Sequence, residues 1–273
     1  QSRGQSRGQS SRPPRARPDG LLRLQRGLTG DRALAGAGYM DDPRLLEAYD
    51  EYYRHVSRAQ VLRIMKLAGI RPRSVLDMGA GPGSVSLALA ELGAREFYLV
   101  DSSARALERA RTSLEAAARS LGEALTVTTT VSDLESPDAA PEGSFDLIAF
   151  GHCLNEIGTG DDRIGRRLAI IERAAARLAP GGAVMVMEPA TLAASRDALG
   201  LRDRLAASGW RIVAPCTFRG PCPALVAGSN HTCHDETAWD VPAGVRRMAE
   251  AAGLDRDLIK MTWYVVSDRK SVV

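Results

Sequence analysis

Three of the chain's four cysteines lie close together, in the segment APCTFRGPCPALVAGSNHTCH. Cys216, Cys222 and Cys233 are spaced C-x5-C-x10-C, and His234 follows the last of them. In a reducing compartment, clustered cysteines more often bind a metal or do chemistry than form disulfides. The stretch shows no periodicity, and loops longer than about 15 residues are uncommon unless they are functional or cross-linked. The pattern predicts a metal site here, with three inert loop thiols as the alternative.

A glycine-rich turn follows the first β-like run, in the segment VLDMGAGPGS. Asp77 lies at the end of the run, and Gly79, Gly81 and Gly83 follow at alternate positions. Glycines at such a turn let the backbone bend tightly and approach a ligand without a clash from Cβ. Nicotinamide and flavin enzymes use a related G-x-G-x-x-G turn, so the glycines alone do not identify a cofactor. The acid two residues ahead of the G-x-G-x-G spacing adds to the signal.

Two further acids follow the next two β-like runs. Asp101 ends the run FYLVD and is followed by Ser102, while Asp133 lies in VSDLES. Because ligands bind at the carboxyl ends of parallel strands, we expect Asp77, Asp101 and Asp133 to face one site. The carboxylate of Asp101 can accept hydrogen bonds from both hydroxyls of a ribose. A helix cap or a solvated turn is the alternative role, above all for Asp133.

The fourth β-like run, SFDLIAFGHCLNEIG, ends in a group of polar residues. His152 is predicted to lie against the cofactor, and Asn155 and Glu156 are candidate catalytic residues. Glu188, after the fifth run, is a third candidate, with a strand-end cap as its alternative role. A thiolate at Cys153 could act as the nucleophile of a pyrimidine C5 methyltransferase. The Pro-Cys dipeptide of those enzymes is absent, so a small buried thiol lining the pocket is the favoured interpretation.

These residues need a framework, and the sequence predicts one of repeated βαβ units. Short β-rich runs alternate with Ala-rich amphipathic segments from Ser74 onward, which is typical of an α/β fold with a doubly wound, mostly parallel sheet. We predict a seven-stranded, Rossmann-like sheet over residues 73–273, with a cysteine-rich loop insertion at 215–240. Apolar residues at helical spacing predict two N-terminal helices, a helical cap, within residues 31–72.

Composition limits the class of protein. The 273 residues carry a formal net charge of +3, and no run approaches the roughly 18 consecutive apolar residues of a membrane span. No basic-then-apolar signal segment opens the chain, so we expect a reducing location, cytoplasmic or, for a eukaryotic source, mitochondrial. Residues 1–30 are rich in Arg, Gln, Ser, Gly and Pro and are predicted to be a disordered basic arm. Such an arm can bind RNA phosphates, or be merely solvated.

Together, these motifs give a resemblance to a known family. The turn LDMGAGPG with its preceding acid resembles the first motif of class I S-adenosylmethionine-dependent methyltransferases. The series LDMGAGPG, HCLNEIG, VMVMEPA, IVAPCTFRGPCP, TCH and MTWYVVSDR is similar to that of the mitochondrial small-ribosomal-subunit methyltransferase-like proteins and their bacterial relatives. The similar stretches run from about residue 74 to residue 269.

The resemblance implies a cofactor and a metal. S-adenosylmethionine would contact Asp77, the three glycines, Asp101 and Ser102, with Asp133 near its adenine amino group. Members of the family are believed to hold an iron–sulfur cluster, of the 4Fe-4S type, through four cysteines, three of which match Cys216, Cys222 and Cys233. No cysteine follows Cys233, so His234, His231, Asp235 or Cys153 would have to supply a fourth ligand within this sequence. A Cys3His site would also suit zinc.

The resemblance further points to small-subunit ribosomal RNA, or the assembling small subunit, as the partner of a chain that is monomeric when free. Three hypotheses remain at this stage: an RNA methyltransferase, an assembly factor that binds the cofactor without turnover, and a small-molecule methyltransferase. Arg211, Arg219, Arg246 and Arg247 flank the cysteines and could face RNA phosphates, although such charges are usually just solvated.

Overall fold

The computed structural model describes residues 18–36, 38–158 and 160–267. Its N-terminal part is dominated by one long helix, α2, at Pro43–Ala68. The side chain of Asp42 accepts a hydrogen bond from the backbone N of Arg44 (2.9 Å) and caps the helix, and left-handed Gly69 ends it. The sequence predicted two helices here. A single one forms because no glycine or proline interrupts residues 44–68.

A shorter helix, α1, precedes it at Pro18–Gln25, followed by a wider helical turn at Arg26–Gly30. Residues 18–30 had been predicted as part of a disordered arm, and this prediction was wrong. Leu21 and Leu24 are fully buried against α2, since positions three residues apart share one face of a helix. The rest of the predicted arm, residues 1–17, lies outside the described residues.

A mixed sheet with helices on both faces forms the rest of the fold. The described ranges contain eight strands, one more than predicted, and the central order is β3-β2-β1-β4-β5-β8-β6, with β7 paired to β8. The first five strands pair in parallel, and β8 runs antiparallel to β5, β6 and β7. In chain order the elements are β1 (Ser74–Met78), α3 (Ser84–Glu91), β2 (Glu96–Asp101), α4 (Ala104–Leu121), β3 (Thr126–Val131), β4 (Phe145–Gly151), α5 (Arg163–Ala175), β5 (Leu178–Pro189), α6 (Leu192–Ala207), β6 (Arg211–Ala214), α7 (Pro223–Ala227), β7 (Asp235–Ala238), α8 (Ala243–Ala251) and β8 (Leu258–Ser267).

Strand β1 lies at the point where the strand order reverses. It pairs with β2 on one side and with β4 on the other, while the chain connects β3 to β4. Val75, Leu76, Leu147 and Ile148 are fully buried there, as expected for parallel strands covered on both faces. Open α/β sheets bind ligands outside the carboxyl ends of the strands at such a point, so β1, β2 and β4 position the site.

The predicted cysteine-rich loop is partly ordered into secondary structure. Helix α7 and strand β7 lie inside residues 215–240 and so depart from the predicted irregular insertion. At the start of β7, the Asp235 carboxylate accepts hydrogen bonds from the Arg63 guanidinium (2.7 and 2.8 Å) and from Trp263 Nε1 (3.0 Å). The segment is therefore tied to α2 and β8.

No helix in the ranges 18–36, 38–158 and 160–267 combines the length and apolar character needed to cross a membrane.

Candidate functional site

The glycine-rich turn forms where it was predicted, between β1 and α3. Gly79, Gly81 and Gly83 all have positive φ, at 74°, 51° and 82°. A Cβ on Gly79 would lie 2.5 Å from Cβ of Cys153, so only glycine fits this position. The backbone N atoms of Gly79 and Ala80 donate to the carbonyl of Val100 at 2.8 and 3.0 Å, which ties the turn to the end of β2.

Asp101 joins the end of β2 to this turn. One oxygen of its carboxylate accepts from Gly81 N (2.8 Å) and the other from Ser103 N (2.9 Å). Burial raises the pKa of Asp101, and these backbone bonds oppose the rise. Asp101 and Ser102 both line a cavity of about 300 Å³. The structure thus brings the carboxylate, the serine and the glycine turn together.

Asp133 lies at the same cavity, after β3. It is exposed, lines the cavity wall, and accepts a hydrogen bond from Glu135 N at 2.9 Å. Asp133 therefore caps a turn and also lies at the cavity wall. Its contact with an adenine amino group stays a prediction.

Asp77 is placed differently from the other two acids. It is fully buried beneath the turn and is not among the residues that line the cavity. One carboxylate oxygen accepts from Ser86 Oγ at 2.7 Å, while the other has no hydrogen-bond partner in the described part of the chain. Burial raises the pKa of Asp77 to about 7. Its observed role is to support the start of α3, and a cofactor contact stays a prediction.

The end of β4 delivers His152 and Cys153 to the cavity wall. Sγ of Cys153 donates to the carbonyl of Met78 at 3.1 Å, and burial raises the pKa of the thiol well above its usual value. A thiol held protonated is a poor nucleophile. The geometry therefore favours the pocket-lining interpretation of Cys153 over a pyrimidine C5 nucleophile. Burial lowers the pKa of His152 to about 4, so the imidazole is neutral at neutral pH.

The candidate catalytic residues separate into an enclosed pair and one accessible acid. Asn155 donates to both oxygens of Glu188, from its backbone N at 3.2 Å and from Nδ2 at 2.7 Å. Glu188 is 2% exposed and does not line the cavity, so it anchors the loop after β4. Glu156 does line the cavity, and burial raises its pKa to about 7.

An N-terminal segment covers the cavity, and no sequence signal pointed to it. Gly36, Gly38, Tyr39 and Met40 line the cavity wall. Gly36 N and Tyr39 Oη each donate to the carboxylate of Glu156 at 3.2 Å. These contacts join residues separated by 120 and 117 positions, so local patterns do not predict them.

A second tie holds the same segment to the loop after β4. Arg32 donates to Oδ1 of Asn155 at 3.2 Å and to its carbonyl at 2.7 Å. Arg32 adopts the left-handed conformation, with φ of 59°. Asn155, predicted as a candidate catalytic residue, therefore links the Arg32 side chain to Glu188.

The cysteines share one region without forming a ligand set. Cys216 and Cys233 are exposed, Cys222 is half-buried, and none is in a disulfide. Burial raises the pKa of Cys233, and the proximity of Cys222 and Cys216 raises it further. Within the described residues, no group of three or more His, Cys, Asp or Glu side chains is arranged to hold a metal ion. His234 instead faces Glu236, with Nε2 3.6 Å from Oε2. The predicted metal site is not supported by this arrangement.

Solved structures show the class of fold. An O-methyltransferase family protein from Burkholderia thailandensis is similar over 93% of this chain and 69% of its own length, with 17% identity and a TM-score of 0.51. A S-adenosylmethionine-dependent methyltransferase from Clostridium acetobutylicum is 18% identical over 53% of this chain, with a TM-score of 0.41, and this chain covers 56% of its length. A ribosomal protein L11 methylase from Lactobacillus delbrueckii subsp. bulgaricus is 16% identical over 78% of this chain and 77% of its own, with a TM-score of 0.44. The strand order and the first of these similarities define a class I methyltransferase fold.

The family is narrower than the fold. Residues 48–255 match the family described as mitochondrial small ribosomal subunit Rsm22. The chain belongs to the Rsm22 family, which confirms the resemblance found in its motifs. A comparison with curated proteins finds no match.

Proposed function

We propose that this chain is a methyltransferase-like protein that binds S-adenosylmethionine and acts on, or in the assembly of, the small ribosomal subunit. The observation that carries the proposal is the carboxylate of Asp101, held by two backbone N–H groups at the wall of the cavity. A carboxylate offers about four acceptor sites, so two remain for ribose hydroxyls. Membership of the Rsm22 family supports the ribosomal partner.

The residues at the cavity fit this cofactor. Gly79 and Gly81 present backbone without a side chain, Ser102 and Asp133 add polar groups, and the cavity that they line holds about 300 Å³. S-adenosylmethionine, when bound, supplies a methyl group on a positively charged sulfur. The chain's own residues would bind and orient it, and positioning is a large source of rate acceleration.

Titration of the full chain with S-adenosylhomocysteine tests the proposal. We expect binding by calorimetry, no binding of NAD at the same concentrations, and co-sedimentation of the chain with small ribosomal subunits. NAD serves as the control because a glycine-rich turn alone would suit it equally well. A chain that binds NAD and ignores S-adenosylhomocysteine would overturn the proposal.

A second candidate is an assembly factor that binds the cofactor without turnover. The observation in its favour is that Cys153 is held as a protonated thiol and Glu188 is enclosed by Asn155. Purified chain that binds S-adenosylhomocysteine, joins the small subunit and transfers no radiolabelled methyl group to its RNA would support this second function. The monomeric state and the cytoplasmic or mitochondrial location stay predictions.

A metal bound by the cysteines is a separate hypothesis. It is supported by the presence of Cys216, Cys222 and Cys233 in one segment, whereas their arrangement in the structure does not support it. For a 4Fe-4S cluster we expect about four iron and four sulfide per chain in protein purified without oxygen. Cys216→Ser should then lose the metal, while Cys153→Ser, at the cofactor cavity, should keep it. Zinc at about one per chain would favour the Cys3His alternative. Metal-free protein that folds and binds S-adenosylhomocysteine would contradict both.

A further inference from the structure

A second cavity, of about 260 Å³, lies beside the first. It is lined by α1, α2, the loop after β4, the end of β5 and the start of β8, and it extends to residues just before β8. Ligand sites for drug-sized molecules measure about 300–1,000 Å³, so this one has room for a single small ring system. A ligand here would lie next to one in the first cavity, because five residues line both: Tyr39, Tyr49, Ser57, His152 and Glu156.

The walls of the second cavity are aromatic. Tyr49 and Tyr53 lie side by side with ring centroids 5.3 Å apart, and Trp239 lines the cavity as well. Oη of Tyr53 is buried and has no hydrogen-bond partner in the described part of the chain. Aromatic side chains bind nucleobases by stacking, typically with about 1–3 kcal/mol per base. The walls therefore suit a flat heteroaromatic ring.

Two cations complete the cavity. Arg256 and Lys260 both line it. The Lys260 side chain is 52% exposed and its Nζ pairs with Oε2 of Glu236 at 2.8 Å, so an anionic ligand would share Lys260 with that carboxylate. Arg256 is held over the ring of Tyr52, 5.6 Å from the centroid. Cations beside an aromatic site favour a ring that carries an anionic group such as a phosphate.

The hydrogen bond of His152 Nε2 leaves Nδ1 as its single acceptor atom, without a partner in the described part of the chain, whereas Glu156 offers two acceptor oxygens. Gln60 Nε2 donates to the carbonyl of Lys260 at 3.1 Å, so Gln60 Oε1 accepts from Nε2 of His152 at 2.9 Å. His152 is therefore engaged with Gln60. Among the described residues, Glu156 is the one acid that lines the second cavity.

Above its pKa of about 7 Glu156 is ionised, and its carboxylate then has two acceptor sites left. Its oxygens each accept one bond, from Gly36 N and from Tyr39 Oη, and a carboxylate has about four sites. Each oxygen of Glu156 thus has one free acceptor site, and the two sites together can accept hydrogen bonds from two adjacent N–H groups of one ring. Guanine presents such a pair at N1 and N2, whereas adenine and cytosine place an acceptor beside their single amino group and uracil places its one N–H between two acceptors.

We infer that the second cavity binds the guanine base of a guanosine 5′-phosphate, with Glu156 accepting hydrogen bonds from N1–H and N2–H. Glu156 is a positioning residue in this inference. The base would lie against the wall that the two cavities share. The inference rests on the proposed function, since it places this base beside the cofactor.

Calorimetric titrations of the full chain, with and without saturating S-adenosylhomocysteine, test the inference. We expect guanosine 5′-monophosphate to bind at least tenfold more tightly than inosine 5′-monophosphate, which lacks only the 2-amino group. Glu156→Gln should weaken guanosine 5′-monophosphate about tenfold and reduce its preference over inosine 5′-monophosphate to less than threefold. The oligonucleotides UUGUU and UUUUU distinguish RNA from a free nucleotide as the source of the base. Tighter binding of UUGUU than of guanosine 5′-monophosphate and UUUUU indicates RNA, and tighter binding of the mononucleotide indicates a free nucleotide.

Ala190→Trp supplies the matched control. Ala190 lines the second cavity and not the first, so filling the space there should abolish nucleotide binding and leave S-adenosylhomocysteine binding within about twofold. Absence of guanosine binding, equal binding of the two nucleotides, or full binding by Ala190→Trp would each overturn the inference. Failure of S-adenosylhomocysteine alone to bind would count against the proposed function instead, because the titrations without it still test the second cavity.

Discussion

Asp101→Ala weakens the binding of S-adenosylhomocysteine by roughly 100-fold or more. The carboxylate is expected to accept hydrogen bonds from two ribose hydroxyls, and bonds to a charged group contribute about 1.5–3 kcal/mol each. Since about 1.4 kcal/mol corresponds to a factor of ten, loss of both exceeds 100-fold. The same substitution also frees Gly81 N and Ser103 N, so the turn loses one of its ties to β2 and keeps the bonds of Gly79 N and Ala80 N to the Val100 carbonyl.

Calorimetry on the native chain and four variants, Asp101→Ala among them, measures this effect. Asp101→Asn retains the shape of the side chain but only one carbonyl oxygen, so it cannot accept from both backbone N atoms, and we expect an intermediate loss. Asp133→Ala, at an exposed residue, should cost about tenfold at most. Glu115→Ala, on the exposed face of α4, should have no effect. Thermal unfolding of each variant shows whether the fold is kept. Native affinity in a folded Asp101→Ala chain would exclude the ribose contact.

Asp77→Asn makes the free energy of unfolding less dependent on pH between pH 5 and pH 8. The pKa of Asp77 is raised by burial from 3.8 to about 7 in the folded chain, so the folded state binds more protons than the unfolded state between those values. Stability from this group is therefore lost as the pH rises through that window. Between pH 5 and pH 8 the native free energy of unfolding should fall by roughly 2–3 kcal/mol relative to Asp77→Asn.

Urea unfolding of the cofactor-free chain at several pH values measures this difference. Asp146→Asn is the control of opposite sign, because backbone bonds from Arg73 and Ser74 lower the pKa of Asp146 despite its partial burial. Its contribution is present above the unfolded pKa and is lost only as the pH falls through the lower folded pKa, so it should be constant between pH 5 and pH 8. Parallel stability curves for the native chain and Asp77→Asn would show that Asp77 is ionised in the fold at all these pH values.

The acids at the strand ends show which parts of the site local sequence patterns could predict. Strand, glycine turn and helix follow one another within about ten residues, so local patterns sufficed to predict the turn at Gly79 and the position of Asp101. The same patterns could not separate Asp77 from Asp101. Which of the two lines the cavity depends on how α3 packs over β1, and the chain places Ser86 against Asp77.

The N-terminal residues show where local reasoning failed. The Gln, Ser, Gly and Pro content of residues 1–30 predicted disorder, yet Leu21 and Leu24 bury one face of a helix against α2. Two leucines are a weak signal until their partner surface exists. The cysteine prediction has no support from the packing, because within the described residues α7, β7 and their contacts hold no group of three or more such side chains in metal-binding geometry.

The α/β fold class, the glycine turn, the acids at the strand ends and the family could all be predicted from the sequence, because each is recognised from short motifs of neighbouring residues. The walls of the site could not be predicted in this way. The contacts of Arg32 with Asn155 and of Tyr39 with Glu156 join segments more than 100 residues apart, and they make the cavity and its neighbour. Such contacts form only when the sheet has brought both segments to one edge. They therefore depend on tertiary packing, and local sequence patterns do not predict them.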